Sequence, residues 1–326
     1  AVLFSLKDKP VVVSTHTINL QGQLVDKDIP LMQGVMENHP FTAVLMKGRG
    51  NFLCLKELDH AESNILYHGD PSFNRLKTWA GNTKTGDVGE LDFVFADWYE
   101  VCSNPDTCRG KECPYYEDKC FYFKMRAKAA TADIIVVNHS LFFADAGVRM
   151  LEPRNAILPD YGAVIFDEAH HLEDVASSAF GIEFSNYRVR SLINRLKKRR
   201  DIDIPAGEYE YIESLNSALF DIFINAPRQE FFFDELYAEQ HRETIEQTVN
   251  KLMVSMDGLN TQLLAQDTEG NPEFKDRIDG YRRMLGRMRG ELSDLFFAEQ
   301  PNYFRWCEKN NSSKFVNCNL RFSPVS

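Results

Sequence analysis

Five cysteines fall within the first 120 residues of this 326-residue chain; Cys102, Cys108, Cys113 and Cys120 share nineteen positions, and Cys54 stands upstream. Thiols at this density in a reduced compartment point to metal rather than to disulfides, and the total of seven is odd. Structural zinc favours Cys-x2-Cys knuckles, in which two sulfurs converge from one turn. Here the gaps are Cys102-x5-Cys108-x4-Cys113-x6-Cys120. Longer gaps suit a larger object held by single ligands from separate turns, such as an iron–sulfur cubane, although spacing leaves zinc open. Cys307 and Cys318 stand alone and read as ordinary semi-buried thiols.

A second constellation is Asp167-Glu168-Ala169-His170, which follows an apolar run directly. A carboxylate at a strand end can hold Mg2+ through water, and a second one beside it can polarise a water for attack on a phosphate. The alternative is a solvated acidic strand end, because Asp-Glu pairs are common. The apolar run before the pair and the Ala-His-His after it favour phosphate chemistry.

Such residues need a scaffold, and the hydrophobic pattern supplies one. Val11-Val12-Val13, Ala43-Val44-Leu45-Met46, Ile134-Ile135-Val136-Val137 and Ala163-Val164-Ile165-Phe166 are rich in β-branched residues and do not alternate, as buried parallel strands do not. Between the first two, Asn19 to Glu37 reads as a helix with Leu20, Leu24 and Leu31 apolar. Strand–helix–strand at this spacing predicts an α/β sheet whose ligands sit beyond the carboxyl ends of the strands. The residues to inspect are therefore Ser14-Thr15-His16-Thr17, Lys47-Gly48-Arg49-Gly50, Asn138-His139 and Asp167-Glu168.

Residues 51–130 carry the cysteines among many aromatics and few strand signals. Trp98, Tyr99, Tyr115, Tyr116, Phe121, Tyr122 and Phe123 read mostly as a small core there, with base stacking the alternative. From 181 to 305 the pattern is helical, with apolar residues three or four apart and a loop signal at Asp267-Thr268-Glu269-Gly270-Asn271-Pro272. Arg188, Arg190, Arg195, Lys197, Lys198, Arg199 and Arg200 put seven cations in thirteen positions, and Arg277, Arg282, Arg283, Arg287 and Arg289 form a second basic stretch. They read either as a phosphate-contacting track or as solvated helix faces. The net charge of −11 excludes a generally basic nucleic-acid coat but not a local one. No apolar run reaches the roughly 18–20 residues of a membrane helix, and no signal peptide is visible, so a soluble, cytoplasmic protein is expected.

At this point the residues resemble a known family. Lys47-Gly48-Arg49-Gly50-Asn51-Phe52-Leu53-Cys54, Cys108-Arg109-Gly110-Lys111-Glu112-Cys113-Pro114-Tyr115-Tyr116 and Cys120-Phe121-Tyr122-Phe123 look like the cluster-binding segments of DinG/XPD-type superfamily 2 iron–sulfur DNA helicases. Ala132-Asp133-Ile134-Ile135-Val136-Val137-Asn138-His139-Ser140-Leu141 and the Asp-Glu-Ala-His box follow in the family's order. Ser14-Thr15-His16-Thr17-Ile18-Asn19-Leu20-Gln21-Gly22-Gln23-Leu24 resembles its motif Ia, a strand end that contacts single-stranded DNA.

The resemblance covers residues 10–180 and implies an ATP-dependent helicase that moves 5′ to 3′ on DNA and carries a 4Fe-4S cluster. Carried over, Cys54, Cys108, Cys113 and Cys120 are the metal ligands, with Cys102 an extra thiol or a substitute for Cys108. Asp167 holds Mg2+, Glu168 activates water, and His170 couples ATP to DNA. The DNA contacts expected are Thr15, His16, Thr17, Asn138, His139, Lys197, Lys198, Arg199 and Arg200.

The fold expected is α/β: a partial parallel-sheet motor domain at 1–50 and 131–180, an inserted iron–sulfur domain at 51–130 and a mainly helical arch domain at 181–310. Residues 311–326, ending in Ser323-Pro324-Val325-Ser326, read as the start of a connection to a second motor domain. The sequence holds no Gly-x-x-x-x-Gly-Lys-Ser/Thr phosphate loop. It therefore reads as an internal segment, monomeric, that does not hydrolyse ATP by itself and acts on single-stranded or forked DNA. The competing reading is a non-catalytic single-strand-binding or redox-responsive iron–sulfur module; a zinc-containing structural domain is a third.

Overall fold

The structure, a computed structural model, describes residues 9–63, 67–236, 241–311 and 316–324. Two compact units divide the chain between Phe180 and Gly181. In the first, β1 (Val11–Thr15), β2 (Ala43–Leu45), β3 (Ile134–Asn138) and β4 (Ala163–Phe166) form a parallel sheet in the order β2-β3-β1-β4. All four apolar runs are strands, as their composition predicts. Burial separates them, however: β1 and β3 are inside, whereas β2 and β4 are half-covered edges and Ile165 is 46% exposed.

Side-chain alternation along the two central strands gives the sheet two packed faces. Val12, Ile135 and Val137 look toward the cysteine region and the helix His139–Leu151. Val13, Ile134 and Val136 look toward Ile29, Leu24 and Val25 of the helical stretch after β1. Each such fully buried aliphatic side chain stabilises the unit by roughly 1.5–3 kcal/mol. The helical stretch runs from Ile18 to Val35 with a widened π turn over Leu24–Asp28. Pro30, which lacks an N–H and crowds the preceding turn, directly follows that widening.

Residues 51–130 have no core of their own. Phe52, Leu53, Tyr67, Phe73, Leu76, Phe95, Phe121 and Tyr122 share one apolar cluster with Val12 and Ile135 of the sheet. Phe121 and Tyr122 are thus core, as read, while Tyr99 is 40% exposed. Gly86, at φ +64°, passes under the Phe121 ring, where a Cβ would lie 2.4 Å from ring carbons.

The second unit contains the expected helices, Asn186–Lys197, Ala206–Ile224, Arg242–Leu264 and Pro272–Phe297. Ile245, Val249, Leu252, Met256, Leu259 and Leu263 follow one another at three- and four-residue steps and are buried. The loop at 265–271 ends where Asn271 caps the last helix by accepting the Phe274 N–H at 2.9 Å. The sequence reading missed a four-stranded antiparallel sheet in this unit. It comprises β5 (Ile182–Ser185), β6 (Glu230–Phe232), β7 (Tyr303–Asn311) and β8 (Val316–Pro324), in the order β5-β8-β7-β6.

The β7–β8 pairing spans the boundary expected at 310, so residues 316–324 are part of this unit's sheet rather than a separate connection. Val325 and Ser326 lie outside the described residues. Among the described residues no helix is long and apolar enough to cross a membrane.

Candidate functional site

The parallel sheet brings three strand ends together. After β4, the Asp167 N–H donates to the Ser14 carbonyl at 2.9 Å, extending the β1–β4 ladder into the acidic pair. Glu168 then takes a left-handed conformation, φ 55° and ψ 45°, which a non-glycine residue adopts at a cost on the order of 1 kcal/mol or more. The turn throws both carboxylates to the exposed side of the sheet end. His170 Nδ1 lies 3.4 Å from Glu168 Oε2, and the His171 ring stacks on His16 at 3.8 Å between centroids. Two exposed neighbouring carboxylates at a parallel-sheet end can hold a hydrated cation and orient a water.

His139 lies beneath this turn, fully buried, with Nδ1 2.7 Å from Ser14 Oγ. Burial holds its pKa below the ordinary range, against the backbone of Asp167 and Glu168, which favours the charged form. Asn138 accepts the Leu141 N–H at 2.9 Å and caps the helix that follows. Thr15 is fully buried, its hydroxyl donating to the Thr17 carbonyl at 3.2 Å, and Thr17 accepts the Leu20 N–H at 3.3 Å. Of the strand-end residues expected to touch DNA, Thr15 and His139 are therefore inside, and Asn138 spends its carboxamide oxygen on a cap. His16 and Thr17 remain toward solvent. The sequence reading passed over His171 and the Ser14–His139 link; the doubled histidine after the box was the available signal.

The cysteines sit where local structure can present them. Cys54 and Cys120 each stand at the N-cap of a helix, Leu55–Glu62 and Phe121–Ala129, where the positive end of the helix dipole faces the residue. Cys108 Sγ accepts the Gly110 N–H at 3.4 Å. Cys54 lies within electrostatic reach of Cys120, and Cys120 within reach of Cys108 and Cys113. Lys56 donates to the Thr107 carbonyl at 2.6 Å and Tyr115 donates to Asp59, tying the helix after Cys54 to the loop that carries Cys108 and Cys113. Cys102 Sγ lies 3.7 Å from the Tyr99 carbonyl.

Burial first, then the Glu57 charge, pushes Cys54 up to about 12, and burial also raises Cys120. Uncoordinated, these groups are protonated thiols; a bound metal would reverse that. Around one tetrahedral ion the sulfurs would be about 3.8 Å apart, given Zn–S bonds of about 2.3 Å. Among the described residues no three cysteine sulfurs lie within 4.8 Å of one another. The donor set is too open for one ion and suits a wider thiolate-bound group.

The DEAD_2 family model matches residues 108–189, from the second of these sulfurs through the acidic box. ATP-dependent DNA helicase YoaA of Escherichia coli is 37% identical over 193 residues, covering 56% of this chain and 29% of that protein. ATP-dependent helicase DinG of Mycobacterium tuberculosis is 31% identical over 238 residues, 66% of this chain and 35% of its own. This chain is a relative of the DinG-type helicases. It spans about a third of the length of these curated relatives. An XPD_Helicase structure aligns over 99% of this chain and 48% of its own, at 15% identity and a TM-score of 0.45, too loose a likeness to add to the sheet order.

Of the twelve cations in the basic runs, at least five pair with acids of their own unit. Lys197 pairs with Glu213 at 2.7 Å, Arg188 with Glu291, Arg277 with Asp201 at 3.3 Å and Arg289 with Asp257 at 2.8 Å. Arg199 Nε donates to the Tyr281 hydroxyl at 3.4 Å, and Arg282 reaches Asp279 and Asn260. Lys198 also has a partner within the protein. Arg190 and Arg200 are exposed. Neutralised pairs at a surface contribute only ~0–1 kcal/mol to stability each, yet they blunt the field a phosphate would feel.

Proposed function

We propose that this chain forms part of an ATP-dependent DNA helicase that carries a 4Fe-4S cluster and moves 5′ to 3′ along single-stranded or forked DNA, in repair or replication. The observation that carries the reading is the joint placement of the two sets. The exposed acidic pair sits where β1, β3 and β4 end, and Cys120, within electrostatic reach of Cys54, Cys108 and Cys113, packs against the apolar cluster on one face of that sheet.

Cys54, Cys108, Cys113 and Cys120 would hold the cluster, which when bound supplies a rigid, redox-active centre to residues 51–130. Cys54 and Cys120 each precede a helix, whose N-terminal dipole favours a charged sulfur there. Nucleotide-bound Mg2+ supplies charge neutralisation at the phosphates; Asp167 would hold the ion and Glu168 would orient the attacking water. His171, stacked on His16, ties the acidic turn to the residues after β1, so a change at the nucleotide would be felt at a DNA-facing loop. Hydrolysis and unwinding are proposed for a longer protein in which a phosphate loop completes the site, not for these 326 residues alone.

The deciding measurement is iron content and the visible spectrum of anaerobically purified protein. About four irons per chain and a brown colour are expected. A colourless protein with stoichiometric zinc would overturn the cluster assignment. Robust ATP hydrolysis by the chain alone, abolished by Glu168→Gln, would overturn the assignment of hydrolysis to the longer protein.

A further inference from the structure

The turn after β4 carries more ligand chemistry than a magnesium–nucleotide site uses. Glu168, His170 and His171 each direct one donor atom to a common point, all within 4.8 Å of one another. Asp167, which the proposed function assigns to Mg2+, is not among them. Magnesium prefers oxygen donors and keeps its waters; two imidazoles and one carboxylate suit zinc, cobalt or nickel instead.

Three features hold the trio in place. The left-handed backbone of Glu168 aims its carboxylate back toward His170, with Oε2 3.4 Å from Nδ1. The rings of His170 and His171 lie 4.0 Å apart, and His16 stacks on the far side of His171 at 3.8 Å. Below them His139 is fully buried, with Nε2 lacking a hydrogen-bond partner, against the backbone of Asp167 and Glu168. For metal bonds of about 2.1 Å the donors must close to about 3.4 Å. His170 and Glu168 are open to solvent, with side chains 66% and 44% exposed, which leaves room for water on the remaining coordination positions.

We propose that Glu168, His170 and His171 form a binding site for a divalent transition-metal ion, zinc above all, that shares Glu168 but not Asp167 with the proposed magnesium–nucleotide site and needs no nucleotide. An ion there takes up the Glu168 carboxylate, so the site is a stop on any chemistry that carboxylate performs. The binding itself does not depend on the proposed function: it is a property of three side chains and one turn.

The test is calorimetric titration of the anaerobically prepared, cluster-loaded chain with Zn2+ in excess Mg2+ and without nucleotide, beside the His170→Ala/His171→Ala variant. Both proteins keep the same cysteines, so uptake by thiols cancels in the difference. The wild type should take up one more zinc than the double variant. His16→Ala, which removes only the stacking support, should weaken that extra site about tenfold. Equal stoichiometry and affinity in a folded double variant would overturn the proposal, as would displacement of the extra zinc by Mg2+. If circular dichroism shows the double variant unfolded, Glu168→Gln and His171→Gln are titrated singly. At least tenfold weaker binding in each supports the site, and unchanged affinity in both overturns it.

Discussion

Two regions of this chain hold cysteines, and they hold them in opposite ways. Between residues 54 and 120 the five thiols are half-exposed, and Cys54 and Cys120 lie at helix starts. On the β7–β8 hairpin, Cys307 and Cys318 are fully buried, 3.4 Å apart, among Phe322, Leu320 and the helices of the second unit. Their mutual hydrogen bond, with burial, pushes Cys307 upward in pKa. The first set can become thiolates when a metal arrives; the second behaves as small hydrophobes. Charge shows the same contrast. The acidic pair at the sheet end stands open to solvent, while Lys197, Arg277 and Arg289 in the second unit are spent on its own carboxylates. Residue type alone does not say which polar groups remain available for chemistry; the partners do.

The largest effect that could break this contrast concerns the ligands. Cys108→Ser, Cys113→Ser or Cys120→Ser should each remove the bound iron and its colour, whereas Cys102→Ser, Cys307→Ser and Cys318→Ser should keep them. Iron retained in all of the first three would erase the distinction between the regions.

Acid should separate the regions next. Burial favours the neutral form of Glu57, but His60, with Nδ1 3.6 Å from Oε2, and the charge of Lys56 outweigh it and bring the carboxyl down to about 2 from 4.5. A depressed carboxylate contributes stability above pH 4.5 that is lost as pH falls from about 4.5 to 2, at most about 3 kcal/mol in total. Urea unfolding of the first unit should therefore weaken over that window, and Glu57→Gln should flatten the dependence there. An unchanged acid profile in Glu57→Gln would place the acid-sensitive group elsewhere.

A smaller effect belongs to the hairpin. Cys307→Ser replaces a buried thiol by a more polar hydroxyl and should cost about 1–3 kcal/mol in the unfolding of the second unit. The cluster spectrum of the first unit should not move. A loss of colour instead would mean that the hairpin thiols are coupled to the cluster.

The smallest effect sharpens the charge half of the comparison. Each phosphate neutralised on a single strand contributes about −0.7 to the slope of log affinity against log salt. With Lys197 and Arg199 engaged internally and Arg200 exposed, replacing Lys197, Lys198, Arg199 and Arg200 together by Gln should flatten the slope by about one phosphate's worth. A change of two to three phosphates would show that the ion pairs open for DNA.

Local pattern determined much of this protein. β-Branched, non-alternating runs identified all four strands of the parallel sheet, because burial on both faces removes the need for alternation. The rule that ligands gather at strand carboxyl ends found the acidic turn, and the family resemblance named the cysteines proposed as ligands before any coordinates. What the sequence did not carry was partnership across distance. The Ser14–His139 hydrogen bond joins residues 125 positions apart, and the Arg199–Tyr281 contact joins residues 82 apart. The hairpin sheet was invisible for a related reason. Strands such as Phe304-Arg305-Trp306-Cys307-Glu308-Lys309 mix charge and aromatics, and they are stabilised by pairing with β8 and by packing on helices rather than by their own periodicity. Periodicity reports which face of an element is buried; only the folded chain decides what that face, and each charge on the other one, meets.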